Sequence, residues 1–228
     1  MPKAIKKRIE KKPEHEGDIR ETVEDIRERL KERQKTLVYA LLIFGVLVIT
    51  IGGFFIYSKV NTSKALELQY EGYRLFYGDT QAAQFMAPAD RYKNALEKFK
   101  QSYAAKKNPV VLLYIANSHY ELGNYDEAIK SLNDLTSRYS DPKIVPLAYY
   151  KLAMAYIKKG DMNSALNTLN NLASIKDSPL QDMALFESGK LLEAMGKPDE
   201  AKAKYKELIS KFPKSALADQ AKAKLEQS

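Results

Sequence analysis

The chain holds 228 residues, with 37 Lys and Arg against 29 Asp and Glu, a formal net charge of +8 and no cysteine. The missing cysteine excludes disulfides, thiol chemistry and cysteine-based metal sites. Residues 1–35 carry 12 basic and nine acidic side chains and residues 58–228 carry 25 and 20, so both are mixed-sign surfaces. Neither has the clustered basic face that nucleic-acid binding requires.

The first stretch, to Gly17, is polar, includes Pro2 and Pro13, and reads as disordered. From Asp18 the pattern changes. Asp18 is placed to cap a helix, with Glu21 in the reciprocal position three residues on. Ile19, Val23, Ile26 and Leu30 then recur at helical spacing on one face. That stripe fits a solvated lead-in helix, and equally self-association, the lipid surface or a partner's cytoplasmic loop.

Residues 36–57 form a run of 22 residues without a charge. At about 1.5 Å per residue it reaches across a bilayer core of about 30 Å. Tyr39 at one end and Phe54, Phe55 and Tyr57 at the other sit where interfacial aromatics lie. The run is too long for a signal peptide, and no small-residue cleavage pattern follows it. It predicts a retained single-span anchor. Six Lys and Arg lie in the 20 residues before the run and three in the 20 after it, which places the N-terminus in the cytoplasm.

Residues 58–228 are repetitive. ELGNYDEAIKSL, KKGDMNSALNTL and AMGKPDEAKAKY align on Gly123, Gly160 and Gly196, which are 37 and 36 residues apart. Five residues after each glycine comes Ala128, Ala165 or Ala201, and four further on Leu132, Leu169 or Tyr205. Seven residues before each glycine stands Ala116, Ala153 or Gly189. Pro142, Pro179 and Pro213 close the units. The pattern predicts helix–turn–helix units: small residues let the two helices approach, glycine ends the first, and large residues fill the seam. The repeats are expected at 110–145, 146–181 and 182–213. An imperfect one over 58–109 precedes them, with Gly72 as its small residue, Tyr92, Ala95 and Phe99 in its second helix, and an insertion at 79–90. Residues 214–228 form an amphipathic capping helix with Leu217, Ala221 and Leu225 on one face. The fold class is all-α, an N-terminal transmembrane helix followed by a helical-repeat solenoid.

This small/large signature resembles tetratricopeptide repeats, whose usual period is about 34. The segment KFPKSALADQAKAKL is similar to bacterial envelope repeat proteins. The whole pattern resembles the single-span ancillary subunits of the Sec translocon, and its repeats resemble the Tol-Pal-associated cell division coordinators. The resemblance implies a bacterial inner-membrane protein with a cytoplasmic N-terminus and a periplasmic repeat domain. It also implies translocon subunits, periplasmic chaperones or unfolded envelope proteins as partners, and leaves room for a homo-oligomer.

No catalytic pattern is present. His15 lies in the tail, and His119 occupies the repeat position held by Tyr156 and Leu192, so it reads as core-facing. No H-E-x-x-H, G-x-S-x-G or phosphate-cradling loop occurs. Gly52 and Gly53 lie in the apolar run and read as a packing notch. No enzyme activity, cofactor or metal is expected.

Partner binding is expected on the inner face of each first helix, ten, six and three residues before the turn glycine. These positions are Leu113, Asn117 and Tyr120; Tyr150, Met154 and Ile157; Phe186, Lys190 and Glu193. Asn117 matches the asparagine that binds a peptide backbone in family members. The same face fits burial under the insertion, the capping helix or a second copy. Function follows as a membrane-anchored interaction module that holds extended segments beside the translocon. The alternatives are a scaffold for an envelope or cell-division assembly without chaperone-like activity, and an adaptor facing the cytoplasm.

Overall fold

A computed structural model describes residues 16–226 and the side-chain surroundings from residue 21 to 226. The expectations for Pro2, Pro13 and His15 lie outside the described residues. Ten helices and no strand occur among the described residues.

The chain divides into two units, Met1–Ser58 and Lys59–Ser228. Helix α1 (Glu16–Tyr77) contributes to both. Gly17 and Asp18 lie within α1, so the cap expected at Asp18 and the loose backbone expected at Gly17 are corrected: helical backbone already runs from Glu16. In the first unit Val23, Ile26 and Leu30 stay more than half exposed. From Leu37 to Tyr57 every large apolar side chain is 50–74% exposed. Thr50, midway in that run, donates its hydroxyl to the Leu47 carbonyl at 2.9 Å, so its polar group is satisfied inside the helix. α1 alone among the described helices is long and apolar enough to cross a membrane.

The second unit is built from helix pairs. The residues of α1 after Ser58 pair with α3 (Pro88–Ala105), and α4 (Pro109–Glu121) with α5 (Tyr125–Arg138). α6 (Ile144–Lys159) pairs with α7 (Met162–Ser174), and α8 (Gln181–Ala194) with α9 (Pro198–Lys211). Each helix from α3 onward packs on the next, and α4 also touches α6. Four glycines end the first helices in the left-handed region, with φ of +73° at Gly78, +77° at Gly123, +87° at Gly160 and +72° at Gly196. At each the following amide reaches back over the turn: Asn124 N–H donates to the His119 carbonyl at 2.9 Å, and Asp161 N–H to that of Tyr156 at 2.9 Å. A side chain at this φ would strain the backbone, which is why glycine recurs here.

The seam inside each pair is size-matched. Ala116 faces the cluster containing Leu132, and Ala153 the cluster containing Leu169. Where the large residue is aromatic, the small one is glycine. A Cβ on Gly72 would lie 2.5 Å from the Phe99 ring, and one on Gly189 would collide with three ring atoms of Tyr205. Phe99 and Tyr205 are buried in consequence. The far end is closed by α10 (Ala216–Glu226), which buries Ala218 and Ala221 while Asp219 and Lys222 face solvent. Ser215 Oγ donates to Asp182 at 2.6 Å and Lys224 Nζ to Glu193 at 2.8 Å, fastening that helix to α8.

The interval 79–90 has structure of its own. α2 (Gln81–Gln84) is capped by Thr80, whose hydroxyl accepts from the Ala83 amide at 2.9 Å, and Ala83 is buried. Pro88 to Asp90 already form the first turn of α3.

Gly189→Ala is expected to destabilise the second unit by about 1–2 kcal/mol, since overpacking outweighs the gain in helix propensity. Combined with Tyr205→Leu, the same change should cost less than the sum of the two single changes. A double-mutant cycle by urea unfolding of the detergent-solubilised chain checks this; strict additivity would show that the seam is not tight.

Candidate functional site

The inner-face positions do not form one uniform surface. Leu113, 4% exposed, belongs to the core cluster around Phe99 and Leu132. Phe186, 8% exposed, lies with its ring 5.8 Å from that of Tyr205 and under the Lys190 ammonium. The expectation that these two meet a partner is therefore corrected. They are sunk into the seam, where neighbouring large side chains cover them.

The remaining positions stay accessible in part. Asn117, Tyr120, Tyr150, Met154, Ile157 and Glu193 are half-buried, and Lys190 is exposed. Met154, Ile157 and Lys190 come together in a depression of about 250 Å³ between α6 and α8. Met162, Glu187, Leu191 and Ala194 complete its lining. Lys190 Nζ lies 3.0 Å from Glu187, so the charged rim is internally paired. The floor is apolar and adaptable, because two of its side chains are unbranched thioethers.

Tyr120 and Tyr150 extend this face toward α4. The Tyr120 ring meets Tyr125 edge-on at 5.5 Å. Burial pushes the Tyr120 phenol up, with Tyr125, Glu121 and then Tyr150 adding to the shift. Burial also raises the Tyr150 phenol, Glu187 raises it further and Lys190 opposes them. Both hydroxyls therefore stay protonated donors at neutral pH. They give a mostly apolar surface two fixed points for hydrogen bonding.

A second group of aromatics was missed in the sequence. Tyr73, Phe76 and Tyr77 of α1 cluster with Tyr114 of α4, with Tyr73 and Tyr114 centroids 4.5 Å apart. The Tyr77 and Tyr114 hydroxyls are 3.0 Å apart. Counting from the small residue instead of the turn glycine finds Tyr73 and Phe76, one and four positions after Gly72, as Asn117 and Tyr120 follow Ala116.

Residues 32–227 match the family described as tetratricopeptide repeat-like domain. No curated protein matches the chain in sequence. Among solved structures, the MamA protein superimposes with a TM-score of 0.52 at 20% identity, over 72% of this chain and 88% of that one. A variant of a Podosopora anserina protein, assigned as a kinesin light chain with nearly identical TPR-like repeats, gives a TM-score of 0.53 at 14% identity, over 73% of this chain and 93% of its own. At such identities the likeness is one of fold.

Leu113→Ala and Phe186→Ala are each expected to cost about 2–5 kcal/mol of stability, as buried positions do. Lys190→Ala should cost less than about 0.5 kcal/mol. Urea unfolding monitored by circular dichroism separates them, and a near-neutral Phe186→Ala would return that ring to the open face.

Proposed function

The chain belongs to the tetratricopeptide repeat-like domain family, and on that premise we propose a non-catalytic, membrane-anchored interaction module of the bacterial envelope. Repeats of this family mediate protein–protein interaction. The observation that carries the reading is the depression of Met154, Ile157 and Lys190 on the inner face, continued by Tyr120 and Tyr150. Its occupant is an extended apolar segment: methionines adapt to varied side chains, and the tyrosine hydroxyls bind backbone carbonyls. Asn117, half-buried on the same face, is a further backbone contact.

The anchor is the run from Leu37 to Tyr57. Transfer of a large apolar side chain out of water is worth about 1.5–3 kcal/mol, and this run leaves all of its large apolar side chains exposed. The family match begins at residue 32, so the run lies within the shared span. Anchoring confines the groove to a membrane surface and raises its effective concentration toward membrane-bound partners. With the N-terminus cytoplasmic, the repeats work in the periplasm, beside the Sec translocon and its chaperones, on emerging or unfolded envelope proteins.

Two measurements test this. In a chain with no native cysteine, Ser63→Cys in intact cells should react with a membrane-impermeant maleimide, and Gln34→Cys only after lysis. The reverse result would make the protein a cytoplasm-facing adaptor. Photo-crosslinkers at Tyr150 and Met154 should capture translocon subunits and nascent chains, with Lys206 on the outer side as the silent control. Capture of one folded partner alone would instead make the protein an assembly scaffold.

A further inference from the structure

A cleft of about 810 Å³ opens along α5, away from the inner-face depression. Its floor is made by Leu112, Ile115 and His119 of α4, each less than 9% exposed. Its rim carries Lys100 of α3 and Lys130 and Ser131 of α5, with Tyr149 of α6 completing the wall. The His119 Nδ1 is buried and has no hydrogen-bond partner among the described residues. Such a group costs about 1–3 kcal/mol, a cost avoided at the same repeat position by Leu192.

The charges indicate which ligand the cleft would take. Asp134 is taken up by Arg138 at 2.5 Å. Lys100 and Lys130 make no ion pair among the described residues, and Glu127 is the remaining carboxylate on the rim. The cleft thus has a largely apolar floor that includes the His119 ring, and an excess of one positive charge.

We propose that this cleft is a second protein-binding site, specific for a partner segment in which an acidic side chain is flanked by apolar residues. The carboxylate sits against Lys100 and Lys130, the apolar neighbours lie on Leu112 and Ile115, and the His119 ring lies beneath them in the floor. This site is separate from the inner face and does not depend on the groove reading. The imidazole also reports on occupancy. Burial holds its pKa below the usual histidine range, Lys100 lowers it further and Glu127 opposes them. A carboxylate arriving beside it must shift it upward.

The experiment uses the full chain in detergent micelles with histidine labelled for NMR, where His15 and His119 are the two signals. An acetylated, amidated heptapeptide with one glutamate among leucines is titrated in, with its glutamine and lysine counterparts and acetate as controls. The glutamate peptide should bind at least about tenfold tighter than either counterpart and raise the His119 pKa. Lys100→Met with Lys130→Met should weaken it by at least about tenfold, while Lys206→Met leaves it unchanged. Equal binding of the three peptides would overturn the proposal, as would an unmoved His119, acetate as effective as the peptide, or full binding by the lysine pair variant. The lysine variants alter only exposed groups, so they decide the matter without disturbing the core.

Discussion

The fold depends on how closely two helices of one repeat approach. That distance is set where a small residue of the first helix meets a large residue of the second. Alanine accompanies leucine at Ala116 with Leu132 and at Ala153 with Leu169, whereas glycine accompanies an aromatic at Gly72 with Phe99 and at Gly189 with Tyr205. The combined volume is roughly conserved while its division shifts across the seam, as close packing requires. Because no repeat can bury its own face, an error at one seam would be passed to the next unit. The turn glycines serve the same end, since the left-handed residue sends the second helix back along the first.

Packing at the seams also affects which inner-face side chains stay accessible. Phe186 is next to the Gly189 and Tyr205 seam, and its ring joins that contact instead of facing outward. Tyr150 and Met154 stand beside an alanine–leucine seam and stay half-buried. The accessible part of the inner face therefore lies mainly around α6, where Tyr150, Met154 and Ile157 stay half-buried. Glu187 and Lys190, contributed by the next repeat, pair at its edge and leave the depression close to neutral.

Period, turn positions and small/large register were legible in the sequence because each rests on a local steric rule. The depth of an inner-face side chain was not, since it depends on the size of a neighbour in another helix. Leu113 and Phe186 have the same spacing as Tyr150, yet only the tyrosine reaches solvent appreciably. The first repeat escaped for a different reason. Gly78 follows Gly72 by six residues where the other repeats keep seven, so counting back from the turn misses Tyr73 and Phe76. The unpartnered His119 nitrogen was equally invisible, because the core-facing position was correctly read but its hydrogen bonding depends on α3 and α5.

The location of that histidine fits the energetics of a linear array. Terminal repeats must spend their outer faces on closure, as α10 does by burying Ala218 and Ala221 over α8 and α9. An internal repeat has neighbours on both sides, so its stability includes two interface terms and can absorb a local cost of about one or two kcal/mol. His119 lies in such a unit: α4 packs on α3, α5 and α6. A departure from the repeat pattern is best tolerated there, and the same unit also carries Asn117 and Tyr120 on its other side. One repeat thus presents polar groups to both faces of the array, while its neighbours supply the apolar packing that keeps it folded.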